Sequence, residues 1–164
     1  MTQVANFIIL ANFKNFSAKS TLIYQRLNIN FAVSWSMKKL FAFVMVGSND
    51  LNKSAKFYDS VFISLGIKKV KTTDKYICYA QKDNLDEIEF YITKPYNKKI
   101  ATYGNGTMVS FLADSTKAVD NFHASALENG GVNEGLPGIR SDGNYYAYIR
   151  DPEGNKICTK CNSN

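Results

Sequence analysis

One histidine, three cysteines and fourteen carboxylates bound the chemistry open to this chain of 164 residues. His123 is the single histidine, so a His-based metal cluster cannot be assembled. It follows Phe122 beside the apolar stripe of a predicted helix, which points to a structural or surface role. Cys158-Thr159-Lys160-Cys161 has the spacing of a redox pair. Redox pairs open a helix, whose N-terminus lowers the thiol pKa. This one ends a strand-like run, where positions three apart point to opposite faces, Cys158 inward and Cys161 outward. A zinc ribbon needs a second pair, and only Cys78 remains. Gly104-Asn105-Gly106 precedes a strand rather than a helix and no P-loop lysine follows, so it reads as a linker. Tyr146 and Tyr148 share one face of a strand and Tyr145 takes the other, so the inward face offers phenols to a cavity. Arg140 and Arg150 are candidate cations for an anionic ligand, although Arg150 abuts a turn, where such a residue is commonly solvated.

Positioning these residues falls to a pattern that occurs twice. Phe43-Val44-Met45-Val46 is apolar and is followed by Gly47-Ser48-Asn49-Asp50, a strand and then a helix start. Met108-Val109-Ser110-Phe111-Leu112-Ala113-Asp114-Ser115 does the same one module later. The first helix takes Asn49 or Asp50 as its cap, carries Leu51, Ala55, Tyr58, Val61, Phe62 and Leu65 as its apolar stripe, and stops at Gly66. The second takes Asp114 or Ser115 as its cap, carries Val119, Phe122, Ala126 and Leu127, and stops at Gly130-Gly131. Three strand-like runs follow each helix: 67–71, 75–81 and 87–93, then 132–139, 145–150 and 156–161. Asp151-Pro152-Glu153-Gly154-Asn155 suits a tight turn between the last two. The chain is thus β-α-β-β-β written twice, with modules at about 38–94 and 106–161 and a linker at 95–105. Two such units are expected to close one shared core.

Upstream of Met37 the pattern stops. Residues 1–36 hold Lys14, Lys19 and Arg26 and no acid, and no clean period runs through them. An extra arm and a start codon assigned too early both fit; either way the fold is expected in 37–164, with 1–36 an extension outside it.

Several stretches now carry a resemblance. Asn49-Asp50-Leu51-Asn52-Lys53-Ser54-Ala55-Lys56-Phe57-Tyr58, Gly104-Asn105-Gly106-Thr107, Val119-Asp120-Asn121-Phe122-His123-Ala124 and the run from Tyr145 to Lys156 resemble, in that order, the glyoxalase-like subgroup of the vicinal-oxygen-chelate superfamily. That superfamily groups glyoxalases, bleomycin resistance proteins and extradiol dioxygenases. The resemblance implies an α+β fold in which two βαβββ modules form a cupped mixed sheet with the helices outside. It also implies a divalent metal held by the first and last strands of each module, and assembly as a homodimer.

The positions of this chain that match those ligand sites are Phe43 and Met108 in the first strands and Glu89 and Cys158 in the last. Phe43 has no lone pair to give, and Met108 offers a neutral thioether, poorly matched to the metals such enzymes use. Glu89 keeps an oxygen ligand and Cys158 a thiol. No cofactor is therefore expected; a Glu/Cys/Met site for a soft metal is the residual alternative. Without a metal, polarisation of a carbonyl or enediolate loses its agent. What remains is an aromatic-lined cup with Phe43, Glu89, Met108, Tyr146, Tyr148 and Cys158 as the expected ligand-binding residues. Glu89 is the one catalytic candidate, because burial would raise its pKa and equip it as a base. The alternative placement for Glu89 is on an edge strand facing solvent.

Composition fits these expectations. Eleven Phe and ten Tyr supply rings for a core and for cavity walls. The +6 charge is spread without a basic stripe or a reading element, so nucleic acid is not an expected partner. The longest apolar run near the start, Phe7-Ile8-Ile9-Leu10, is too short to span a membrane. An odd number of cysteines fits a reducing compartment, so a cytoplasmic protein is expected. Two functional classes stay open: a metal-free small-molecule binder of the bleomycin-resistance type, or a diverged lyase, isomerase or dioxygenase using Glu89 or an atypical metal. If it is an enzyme, its closest chemistry is that of a lactoylglutathione lyase or a dioxygenase. Cationic drugs are poor candidates for a basic chain, and a degenerate module kept for protein contact would show a filled cup.

Overall fold

A computed structural model of the protein describes residues 40–162. The segment 1–36, read as an extension, lies outside the described residues.

The first module runs β1 (Val44–Gly47), α1 (Leu51–Val61), a 3-10 turn (Phe62–Leu65), β2 (Ile67–Thr72), β3 (Tyr76–Gln81) and β4 (Ile88–Thr93). The second runs β5 (Val109–Leu112), α2 (Thr116–Glu128), β6 (Val132–Ile139), β7 (Tyr145–Arg150) and β8 (Lys156–Cys161). Each forms one four-stranded sheet, in the orders β1-β4-β3-β2 and β5-β8-β7-β6. In each, the first strand pairs parallel with the last and the other pairings are antiparallel. The fold is α+β, two βαβββ modules with mixed sheets that do not join into a closed barrel.

The helix starts are decided by hydrogen bonds. The Asp50 carboxylate accepts from the backbone N–H groups of Asn52 and Lys53, both at 3.0 Å, so Asp50 and not Asn49 caps α1. Ser115 accepts from the Ala118 N–H at 3.2 Å and caps α2 in place of Asp114. The α-helical part of the first helix ends at Val61, earlier than the stripe predicts. The chain tightens into the 3-10 turn and leaves through Gly66, whose φ of 65° a side chain would oppose. On α2, Leu127 is 41% exposed and His123 only 5%. The buried stripe is Val119, Phe122, His123 and Ala126 rather than one ending at Leu127, because Leu127 lies a further 100° or so round the helix from Ala126. His123 can be buried because its Nε2 and the Asn133 Oδ1 are 2.9 Å apart and satisfy each other.

Both helices pack against the sheets over one continuous core. Phe57, Tyr58, Val61 and Phe62 from the first helix region meet Phe122 and Ala126 from α2, with Phe90, Ile92, Ile149 and Ile157 beneath them. Full burial of each large side chain is worth about 1.5–3 kcal/mol. A smaller cluster of Ala113, Val119, Ala147 and Cys161 completes the second module, which puts Cys161 on the helix side of β8. Among the described residues, no helix is long and apolar enough to cross a membrane.

The turn between β7 and β8 does more than reverse the chain. Asp151 folds it by accepting from the N–H groups of Glu153 (2.9 Å) and Asn155 (2.8 Å), with Gly154 at a φ of 89°. The same carboxylate accepts the Tyr58 phenol of α1 at 2.7 Å. Glu153 accepts from the Asp50 N–H (3.1 Å) and the Asn49 amide (2.7 Å), and Asn155 donates to the Gly47 carbonyl at 3.2 Å. A five-residue turn of the second module is thereby bonded to the β1–α1 junction of the first.

Candidate ligand-binding site

The first strands of the modules, β1 and β5, are the inner edges of their sheets, and the space between them holds two adjoining cavities. One, of about 210 Å³, is walled by Phe41, Phe43, Tyr79, Phe90 and Phe111, with Glu89, Gln81 and Ser110 as its principal polar groups. The other, of about 570 Å³, takes in Met45, Tyr103, Thr107, Met108 and Lys156. Phe41, Val44, Val109 and Ser110 line both, so the cavities form one trough. Ligand pockets have this composition, a mainly apolar wall with a few placed polar groups. Among the described residues, these strands enclose an open trough rather than the filled cup expected of a module kept only for protein contact.

Register explains how Phe43 and Glu89 come together. Val44 pairs with Phe90 across the parallel β1–β4 ladder, so the residues before them, Phe43 and Glu89, are neighbours. On the other side β3 and β4 slip: Tyr79 pairs with Phe90, but Ala80 pairs with Ile88. Glu89 is the extra residue of a β-bulge, a device that re-aims a side chain at the rim of a sheet. β4 lies between β1 and β3, so Glu89 is on a central strand and not on a solvent-facing edge. Phe43 is itself half exposed and meets Tyr91 edge-on at 5.2 Å, and Tyr91 meets Tyr76 in the same way at 5.7 Å.

The other sequence candidates lie elsewhere along the trough or beyond it. Met108 lines the larger cavity, away from Glu89. Cys158 is fully buried on β8, in register with Ser110 of β5 and Tyr148 of β7. Its thiol is raised by burial, against the lowering effects of the Ser110 hydrogen bond and of Arg140, Lys156 and Lys160. Tyr146 and Tyr148 share the helix-free face of β7, as their alternation predicts, while Tyr145 turns to the helix side and donates to Asp120 at 2.9 Å. Neither Tyr146 nor Tyr148 lines the trough. Among the described residues, no three His, Cys, Asp or Glu side chains are grouped so as to hold a metal ion.

Sequence reasoning passed over Phe41, Ser110, Phe111 and Lys156. Alternation along β5 was the available signal for Ser110, which shares a face with Met108 and Leu112 while Val109 and Phe111 pack toward the core. For Phe41 there was none, because it precedes the first strand.

Comparison with known proteins agrees with this architecture. The profile of the Glyoxalase/Bleomycin resistance protein/Dioxygenase superfamily matches residues 40–159. A glyoxalase/bleomycin resistance protein from Albidiferax ferrireducens T118 is similar in structure at a TM-score of 0.70 and 42% identity, over 76% of this chain and 100% of that one. A glyoxalase-related enzyme from Fulvimarina pelagi aligns at a TM-score of 0.61 and 19% identity, covering 77% of this chain and 89% of its own. Lactoylglutathione lyase from Agrobacterium tumefaciens aligns at 0.54 and 19%, covering 76% and 95%. At that identity, these last two speak for the fold alone. Among curated proteins, none matches the chain. With its family profile and its paired modules in agreement, the chain belongs to the glyoxalase/bleomycin resistance protein/dioxygenase superfamily.

Proposed function

We propose that this protein binds a small molecule in the trough between β1 and β5 and does so without the divalent metal of its superfamily. The observation that carries the reading is the composition of the smaller cavity: five aromatic rings and, among its lining residues, a single carboxylate, Glu89. Rings supply apolar contact and ring-face stacking, and a carboxylate among them supplies orientation. Phe43 and Met108, at two of the four positions that the family resemblance marks for ligands, favour a metal-free site. Cys158 does not line the trough with Glu89, and this donor set does not suit a divalent cation.

Metal content of the purified protein, with thermal unfolding in added Zn, Ni, Mn or Fe(II), tests the metal-free part. We expect substoichiometric metal and an unchanged melting temperature; stoichiometric metal that disappears in Glu89→Ala would overturn it. Thermal unfolding against a library of small aromatic compounds tests the binding part. A ligand at a hundred times its Kd stabilises by about 2.7 kcal/mol, or roughly 10 °C for a domain of this size. Ser110→Trp, which fills the trough from β5, should abolish that shift while leaving the unliganded protein folded.

The β-bulge at Glu89 favours a second reading, a diverged lyase or isomerase in which this carboxylate moves a proton. Glu89→Gln would then leave binding intact and remove turnover. A cytoplasmic site, consistent with the free thiols of Cys78, Cys158 and Cys161, and assembly as a homodimer belong to the same proposal. Sedimentation equilibrium tests the dimer.

A further inference from the structure

The helix-free face of the second sheet is built differently from the apolar trough beside it. Tyr146 and Tyr148 stack there with ring centroids 5.9 Å apart and planes 5° from parallel. Lys160 sits 5.7 Å above the Tyr146 ring, and Lys156 and Arg140 sit 5.7 Å and 5.4 Å from the centre of Tyr148. Arg150, two residues beyond Tyr148 on the same strand, lies over Tyr103 at 5.1 Å. Two carboxylates share the face. Glu134 pairs with Arg150 and with Lys156, the latter at 2.9 Å, and Asp142 accepts the Tyr146 hydroxyl at 2.6 Å. Four cations against two carboxylates leave the face positive. Among the described residues, neither Arg140 nor Lys160 is in an ion pair.

Three of those cations, Arg140, Lys156 and Lys160, converge on the stacked tyrosines. Cys158 stands in register with Tyr148, and its thiol feels Arg140, Lys156 and Lys160 together, although burial outweighs them. The convergence is also continuous with the trough: Lys156 lines the larger cavity, and Ser110, the register partner of Cys158, lines both. Each ring holds its cations in place by attraction to the π face, so the charges are arranged before a ligand arrives.

We propose that this stacked-tyrosine, lysine and arginine face binds the anionic group of a planar, conjugated ligand, a carboxylate or phosphate whose apolar body reaches into the trough. The proposal rests on the small-molecule reading of the trough and gives that ligand a sign of charge. The aromatic walls of the trough suit a flat body, the guanidinium and ammonium groups beside it suit its anion, and a positive field raises the encounter rate of anions over cations.

The test uses the full chain and four probes: 2-naphthoate, 2-naphthamide, 2-naphthylmethylammonium and inorganic phosphate, titrated by calorimetry. Naphthoate should bind about tenfold more tightly than the isosteric neutral amide at low salt, and only its affinity should weaken as salt rises toward about 0.5 M. Lys160 is half-buried, so Lys160→Gln should keep the fold, checked by its melting temperature. It should weaken naphthoate several-fold and leave naphthamide within about twofold, and Arg140→Gln should act in the same direction. Equal affinity for naphthoate and naphthamide would overturn the anion proposal while leaving the trough reading standing. Tighter binding of the ammonium probe, or an equal loss of both naphthyl ligands in Lys160→Gln, would do the same. If no naphthyl compound binds, the anion proposal falls, and the library screen decides the trough reading separately. Phosphate binding that matches naphthoate would show a point-charge site with no use for the rings, which also overturns the proposal.

Discussion

At the scale of single residues, polar groups out of water set the sharpest expectations. The Thr159 hydroxyl is buried with no hydrogen-bond partner among the described residues, facing the core from β8. Thr159→Val keeps the shape and removes an unsatisfied oxygen, so it should stabilise the protein by about 1 kcal/mol, read from urea unfolding. Two aspartates should titrate in opposite directions. Burial raises Asp151 above its ordinary range, although bonds from Asn155 and Tyr58 oppose it. The native state therefore holds this proton more tightly than the unfolded chain, and its contribution to stability falls as pH rises through the raised pKa. The Tyr146 hydroxyl and the Asn144 amide lower Asp142 to about 2. Its contribution is present above the ordinary carboxylate pKa and is lost as pH falls toward 2. Carboxyl NMR titration separates the two, and Tyr146→Phe should return Asp142 toward its usual value. Of the candidate site, the nearness of Phe43 and Glu89 was legible only through the family resemblance, which marks both as ligand positions of the first module; the repeat alone gives neither strand order nor register. The bulge that re-aims Glu89 was not, since one extra residue in a strand leaves no mark in an apolar pattern. Of the cationic partners of Tyr146 and Tyr148, Arg140 was a candidate from the sequence, but the two lysines were hidden for a similar reason: Lys156 and Lys160 flank Cys158 at alternate positions and read as ordinary surface lysines.

At the scale of elements, the repeat located the eight strands and two helices of the described residues, because the helical runs are bounded by a cap or a glycine with a local physical reason. What the repeat could not decide was which of two adjacent cap candidates would be used, or that Phe62–Leu65 would tighten into a 3-10 turn; those depend on packing. The β7–β8 turn shows how tightly an element can be specified. Gly154 has a φ of 89°, and a Cβ built there would lie 2.5 Å from the Tyr103 ring. That ring in turn carries the Arg150 guanidinium. Gly154→Ala meets both backbone strain and a clash, so it should cost about 1–3 kcal/mol, measured by chemical unfolding. By contrast Gly106, at a φ of 92°, has open space around its would-be Cβ, and only the backbone term applies there.

At the scale of the whole molecule, two similar modules share one core, and the turn of the second is bonded to the first. The Glu153–Asn49 bond joins residues 104 positions apart in the chain, and the Tyr58–Asp151 bond joins residues 93 apart. Far-UV circular dichroism and tyrosine fluorescence should therefore report one coincident urea transition, and two separated transitions would contradict this expectation. The same turn also carries a kinetic meaning. Contacts between residues so distant must wait for a large loop to close, which places them late on the folding route. The N-terminus of α1 is completed by a carboxylate that the ribosome delivers some hundred residues afterwards. During synthesis the first module must wait, its helix started by Asp50 but not yet anchored, until the second is out. Removing the Glu153 carboxylate should accordingly speed unfolding more than it slows folding.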